Sequence, residues 1–177
     1  MNNEKKSEKM YDMKKPMFVC LAGVFAALCC VATMIAVPLP FGYFNLGDIF
    51  VIIAGWILGP IGAIAAAIGS TIADLSLGFA IYAPATFVIK GIDALIAYYT
   101  YRLFSRRTEK KPIPILLSAI IAESFMICGY FFFDAVVLGY GMGALASVPG
   151  NVLQGIASII GSTALFFALR TTKLFYR

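Results

Sequence analysis

The sequence predicts an all-α integral membrane protein, a bundle of six transmembrane helices with both termini on the cytoplasmic side. Three observations lead there. Hydrophobic residues make up 61% of the 177 and charged residues only 13%, and the mean hydropathy is +0.89, far outside the range of a soluble domain. Apolar runs recur with short breaks, and a helix needs roughly 20 such residues to cross a hydrocarbon core about 30 Å thick. Of the 14 Lys and Arg residues, all but Lys90 lie in three clusters: "MNNEKKSEKMYDMKK", "RLFSRRTEKKP" and "RTTKLFYR". With six spans these clusters share one side, which the positive-inside rule makes the cytoplasm.

Gly, Pro and charge clusters place the helices at 17–37, 47–59, 61–78, 84–104, 113–138 and 147–169,. They form one membrane domain, 17–170, between cytoplasmic tails at 1–16 and 171–177. The first apolar run exceeds the roughly 7–15 residues of a secretory-signal core, and no soluble domain follows it, so it is expected to be a retained helix. The second and third helices are short and meet at "LGPIG", Leu58 to Gly62, where Gly-Pro permits a tight reversal,. Gly55-x-x-x-Gly59 and "GAIAAAIGS" suit close packing inside the bundle,. The loops on the other side, near 38–46, 79–83 and 139–146, contain no Lys or Arg.

The net charge of +5 follows from this topology and points to anionic membrane lipid, with no nucleic-acid partner expected. Cys20, Cys29, Cys30 and Cys128 all sit in apolar runs without a C-x-x-C pair, so they read as packing residues, and no metal site is expected. The chain has no histidine, which removes Ser-His and Cys-His catalysis; no catalytic residue is assigned. "FNLGD" comes near the Gly-x-Gly-Asp of intramembrane aspartyl proteases, but the first glycine is absent and no Tyr-Asp stands on a neighbouring span,. No G-x-x-x-x-G-K-[ST] loop exists, so the chain is not expected to use ATP itself in the usual way; any energy must come from a partner or a gradient, and no cofactor is expected on this chain.

Asp48, Asp74, Lys90, Asp93, Glu123 and Asp134 lie within or at the ends of spans, where each ionisable group costs about 2.5–3.5 kcal/mol or more unless paired or facing a polar cavity. Asp74 precedes Gly78 by four residues and Lys90 follows Pro84 by six, which puts both roughly 6–9 Å below the outer surface on consecutive helices, within reach of each other. Two readings follow. In the first, Asp74, Lys90 and Asp93 brace helices three and four, with Asp48 as a helix N-cap. In the second, the set lines a polar pocket open to the outside. Five acids cannot be neutralised by one base, and Tyr43, Asn45, Tyr82, Tyr130, Asn151 and Gln154 stand at similar depth. The second reading therefore accounts for the whole set better, and it suits a small planar ring bearing OH or NH groups.

The block "NLGDIFVIIAGWILGPIGAIAAAIGSTIADLSLGFAIYAPATFVIKG", with "VPGNVLQG" in the last span, resembles the substrate-binding S components of energy-coupling factor (ECF) vitamin transporters, in their riboflavin-transporter-like group. The resemblance covers about residues 17–170. It implies a protein of the bacterial cell membrane that captures a vitamin-sized molecule outside: riboflavin, or a pyridoxine-like or hydroxymethylpyrimidine-like compound. It further implies docking on a transmembrane coupling (T) protein that carries two ATP-hydrolysing ABC-type subunits. The family docks through Ala-x-x-x-Ala on helix one, and "AGVFA" supplies Ala22 and Ala26. The expected substrate-binding residues are Asn45, Asp48, Asp74, Tyr82, Lys90, Glu123, Tyr130, Asp134, Asn151 and Gln154, with Gly78 and Pro84 shaping the covering loop. The alternative function is a self-sufficient homo-oligomeric, proton-coupled carrier or channel, in which Asp93 and Glu123 relay protons.

Overall fold

The structure, a computed structural model, describes residues 15–38, 43–107 and 112–171. Most of the two expected tails, 1–14 and 172–177, lies outside the described residues, as do 39–42 and 108–111. Within the described residues six α-helices follow in order: α1 Lys15–Met34, α2 Gly47–Leu58, α3 Pro60–Ser76, α4 Ala83–Arg107, α5 Pro112–Phe132 and α6 Val148–Thr171. Among the described residues, three stretches are long and apolar enough to cross a membrane: Pro16–Met34, Pro112–Val137 and Gly141–Leu169.

Two helices stop three or more residues short of the sequence expectation, each for a backbone reason. The first helix ends at Met34, and Val37–Pro38 (β1) pairs antiparallel with Tyr43–Phe44 (β2), Val37 opposite Phe44. Pro38 cannot donate an amide to a helix, and the residue before a proline avoids the α region. The fifth helix stops at Phe132 and passes into a π-helical turn, Phe133–Val137, closed by the Leu138 amide on the Phe133 carbonyl at 3.0 Å. A 3₁₀ segment, Gly141–Ala146, then leads into α6.

α2 is the axis of the bundle. Its residues from Val51 through Leu58 are all buried, and it packs against α1, α3, α4 and α6. A helix apolar on every side belongs in a core. Gly59, at φ 59° and ψ −133°, takes a conformation open essentially to glycine alone, and Pro60 starts α3 where its missing N–H costs nothing,. The reversal at "LGPIG" follows from these two residues.

Small residues set the helix spacing. A Cβ on Gly55 would lie 2.3 Å from the Ala94 carbonyl oxygen of α4, and one on Gly69 would lie 2.1 Å from the Ala26 carbonyl oxygen of α1. Backbones therefore touch, the usual way helices associate in lipid, where apolar burial offers little drive. At the centre, the Trp56 Nε1–H donates to Ser118 Oγ at 2.9 Å and its ring meets Phe166 edge-on at 5.1 Å. Outward, Ile61, Ile64, Ile68 and Ile72 of α3 form an exposed apolar ridge suited to lipid.

Helix alternation brings the β1–β2 hairpin, the C-terminal ends of α3 and α5 and the N-terminal ends of α2, α4 and α6 to one end of the bundle. Arg102 and Arg106 approach the other end, on the last turns of α4.

Candidate functional site

A cavity of about 540 Å³ opens at the hairpin end. Seven of the ten expected residues line it: Asn45, Asp74, Tyr82, Tyr130, Asp134, Asn151 and Gln154. The other three, Asp48, Lys90 and Glu123, are buried and outside the lining.

Asp74 joins α3, the hairpin and α4 through its carboxylate. Its Oδ1 accepts from the Tyr43 hydroxyl of the hairpin and its Oδ2 from Thr86 Oγ1 of α4. Thr86 Oγ1 also shares a hydrogen bond of 2.9 Å with the Tyr130 hydroxyl of α5. The turn behind Asp74 is a Schellman motif: Gly78 at φ 85° lets the Phe79 amide reach back to the Asp74 carbonyl at 2.8 Å,. It places the Phe79 ring 4.7 Å from Tyr43, and Tyr82 in turn stands 5.6 Å from Phe133. Burial, and then the Asp74 carboxylate, raises the Tyr43 phenol, while burial and then Asp134 raises Tyr82. Both hydroxyls are thus neutral donors.

On the opposite wall, Asn45 donates its backbone N–H and Nδ2 to Gln154 Oε1 at 3.1 and 2.9 Å. Gln154 Nε2 donates to Asp48 Oδ2 at 2.6 Å. Asp48 Oδ1 accepts the Lys90 ammonium, whose nitrogen lies 5.1 Å from the Tyr130 ring centre. Two expectations are corrected here. Lys90 pairs with Asp48, and Asp74 is held by hydroxyl donors, because the crossing of α4 over α2 turns Lys90 towards α2. Asp48 is no N-cap either: it lies within the first turn of α2, whose N-cap position is Leu46 and carries no side-chain cap, and its oxygens engage Lys90 and Gln154 instead.

Beneath this layer Asp93 and Glu123 are buried, with no hydrogen-bond partner among the described residues. A Cβ on Gly155 would lie 3.4 Å from Glu123 Oε2. Above them, Asp134 sits in the π-helical turn, a device that often marks functional sites,. Its Oδ2 accepts from Ser147 Oγ at 2.8 Å, while its Oδ1 is buried without a geometric hydrogen bond among the described residues.

Sequence reasoning left out Thr86, Phe79, Tyr140 and Ser147, all of which line the cavity. Thr86 had a signal: it lies one turn from both Tyr82 and Lys90, on one helical face. Ser147 and Tyr140 belong to irregular segments, whose paths periodicity does not give. Of the two docking candidates, Ala22 packs against the core cluster and the Ala26 carbonyl abuts Gly69. Both are half-buried, whereas Gly23 is exposed, with open space where a Cβ would stand.

The family model described as "ECF-type riboflavin transporter, S component" matches residues 15–171. A Pyrococcus woesei protein, described as "Uncharacterized protein in gap 3'region", is 31% identical over 140 residues, covering 77% of this chain and 90% of that one. The S component of a bacterial ECF transporter has a solved structure that superposes with a TM-score of 0.72 at 21% identity, covering 89% of this chain and 98% of the other. That likeness shows the fold. The match from the first turn of α1 to the end of α6, on a fold of this kind, means that the chain belongs to the family of ECF-type riboflavin transporter S components.

Proposed function

We propose that this chain is the substrate-binding subunit of an ECF-type importer, taking up a B vitamin or related heteroaromatic precursor such as riboflavin, a pyridoxine-like or a hydroxymethylpyrimidine-like compound. The observation that carries this reading is the cavity at one end of the bundle: its volume of about 540 Å³ falls within the ~300–1,000 Å³ of small-molecule sites. Aromatic faces stand on its walls beside a few fixed polar groups, the combination that orients a flat polar ring. S components are transport subunits, and an enzymatic role has no support from the family.

The basic clusters put the end opposite the cavity in the cytoplasm, so the cavity faces outside and both termini lie inside. Delivery then requires partners: a transmembrane coupling protein and two ABC-type ATPases. α1 is the docking helix in this scheme. Its face around Ala22, Gly23 and Ala26 is low enough for another helix to approach closely.

The second reading, a proton-coupled carrier acting alone, draws on the unpartnered Asp93 and Glu123 carboxyls. One experiment separates the two. The detergent-solubilised chain, without partners, is titrated with B vitamins and their precursors while its thermal unfolding is followed. A ligand at 100 times its Kd stabilises by about 2.7 kcal/mol, and one compound is expected to do so. A folded chain that no compound stabilises, together with solute flux in vesicles lacking any ATPase, would move the assignment to the carrier.

A further inference from the structure

Lys90 and Asp48 are buried outside the cavity lining, yet a chain of hydrogen bonds runs from them to its wall. The Lys90 ammonium donates to Asp48 Oδ1, and Gln154 Nε2 donates to Asp48 Oδ2 at 2.6 Å. Gln154 Oε1 accepts the backbone N–H and the Nδ2 of Asn45 at 3.1 and 2.9 Å. Asn45 Oδ1 in turn accepts the amide of Gly47, the first residue of α2, at 2.8 Å.

The two ends of this chain fix which way the Gln154 amide faces. An ionised carboxylate only accepts, so Asp48 demands the nitrogen of Gln154. A backbone N–H only donates, so Asn45 demands the oxygen. Turning the amide over would set Nε2 against the Asn45 N–H and Oε1 against the Asp48 carboxylate, leaving buried polar groups unpaired at both ends, which is costly. The Lys90 ammonium keeps Asp48 ionised at this depth, because a buried carboxylate is held in its charged form by an opposite charge in contact. In the orientation so fixed, both lone pairs of Gln154 Oε1 are taken by Asn45 and one hydrogen of Nε2 is given to Asp48,. The second hydrogen on Nε2 is the polar group that Gln154 has left to offer, and Gln154 lines the cavity.

Resting on the vitamin-binding reading above, we propose that Lys90 and Asp48 are positioning residues for the ligand: they hold the Gln154 amide with its oxygen on Asn45, so that it gives the cavity an N–H donor for an acceptor on the ligand, a ring nitrogen or a carbonyl oxygen.

The test is equilibrium binding of riboflavin, pyridoxamine and 4-amino-5-hydroxymethyl-2-methylpyrimidine to the full chain in detergent, with thermal unfolding followed on the same samples. Whichever compound binds the wild-type chain is carried through the variants. In Asp48→Asn, Lys90 keeps the side-chain oxygen and the new amide nitrogen meets Gln154 Nε2, donor against donor. Melting temperature and affinity should both fall, the affinity on the order of 10- to 100-fold, as for loss of a hydrogen bond to a charged group. Adding Gln154→Glu exchanges carboxylate and amide between the two positions. Every hydrogen bond of the chain can then re-form, so the melting temperature should recover, but position 154 has no hydrogen to give and the affinity should stay low. A purely structural pair would regain both. Lys90→Met with Asp48→Asn frees the new amide to turn its oxygen to Gln154 Nε2, so most of the affinity lost in Asp48→Asn should return; this variant decides the matter if the exchanged pair does not fold. Wild-type affinity in a folded Asp48→Asn, Gln154→Glu protein would overturn the positioning role while leaving vitamin binding intact. So would absence of binding by a folded Lys90→Met, Asp48→Asn protein. Failure of all three compounds to bind the wild-type chain would overturn the vitamin reading itself.

Discussion

The ammonium of Lys90 on α4 and the carboxylate of Asp48 on α2 form a buried ion pair, with the second oxygen of Asp48 held by Gln154. The pair joins the wall of the cavity to the middle of the bundle, since Gln154 also accepts two hydrogen bonds from Asn45. An ion pair out of water is sustained only when its remaining polar atoms find partners, and Gln154 supplies one.

Removing one member should therefore cost more than removing the charge from both. Lys90→Ala is expected to destabilise by about 3–5 kcal/mol, whereas Lys90→Met combined with Asp48→Asn should recover part of that loss. Thermal unfolding of the solubilised variants measures it. A Lys90→Ala protein as stable as wild type would show that the pair does not form.

Thr86 and Tyr43 are the two donors to Asp74. Thr86→Val preserves shape but removes a donor, which should cost about 1–3 kcal/mol and weaken ligand binding. Tyr43→Phe should do the same on the hairpin side. If Thr86→Val left both melting temperature and affinity unchanged, the Asp74 junction would not shape the cavity.

Gly69, on the α1–α3 contact, and Gly23, on the exposed face of α1, offer a matched comparison. Gly69→Val places a side chain where the Ala26 carbonyl already stands, 2.1 Å from the new Cβ, and overpacking of this kind costs about 1–3 kcal/mol. Gly23→Leu meets no atom within 4 Å, so stability and ligand affinity should hold. Its effect should appear only in co-purification with a coupling protein, which the bulkier side chain is expected to reduce. Full assembly with Gly23→Leu would place the docking face elsewhere.

Asp93 and Glu123 are buried without a hydrogen-bond donor among the described residues, and an unpaired charge at such a depth is costly. Asp93→Asn and Glu123→Gln are isosteric and uncharged. Both variants should unfold at or above the wild-type temperature with ligand affinity little changed. A clear drop in melting temperature would mean that a carboxylate is required there.

Much of the architecture can be read from residue order alone. Composition and the spacing of Gly, Pro and charge give an all-helical membrane bundle, its six helices and the reversal at Gly59-Pro60. Depth is also legible, because rise per residue is constant. Counting from the helix ends brings Asp74, Tyr82, Tyr130, Asp134, Asn151 and Gln154 to a common level, and the structure gathers them around one cavity. Depth says nothing about which way a side chain points around its helix axis. That angle is set by how helices cross, and the crossings here depend on Gly55 meeting Ala94 and Gly69 meeting Ala26. So equal depth suggested Asp74 as the partner of Lys90, while helix packing gave that place to Asp48 and left Asp74 to Tyr43 and Thr86. The β1–β2 hairpin and the π-helical turn at Phe133–Val137 were likewise decided in three dimensions. Neither has a hydrophobic period to announce it, and each places a cavity residue, Tyr43 and Asp134, through its own backbone hydrogen bonds.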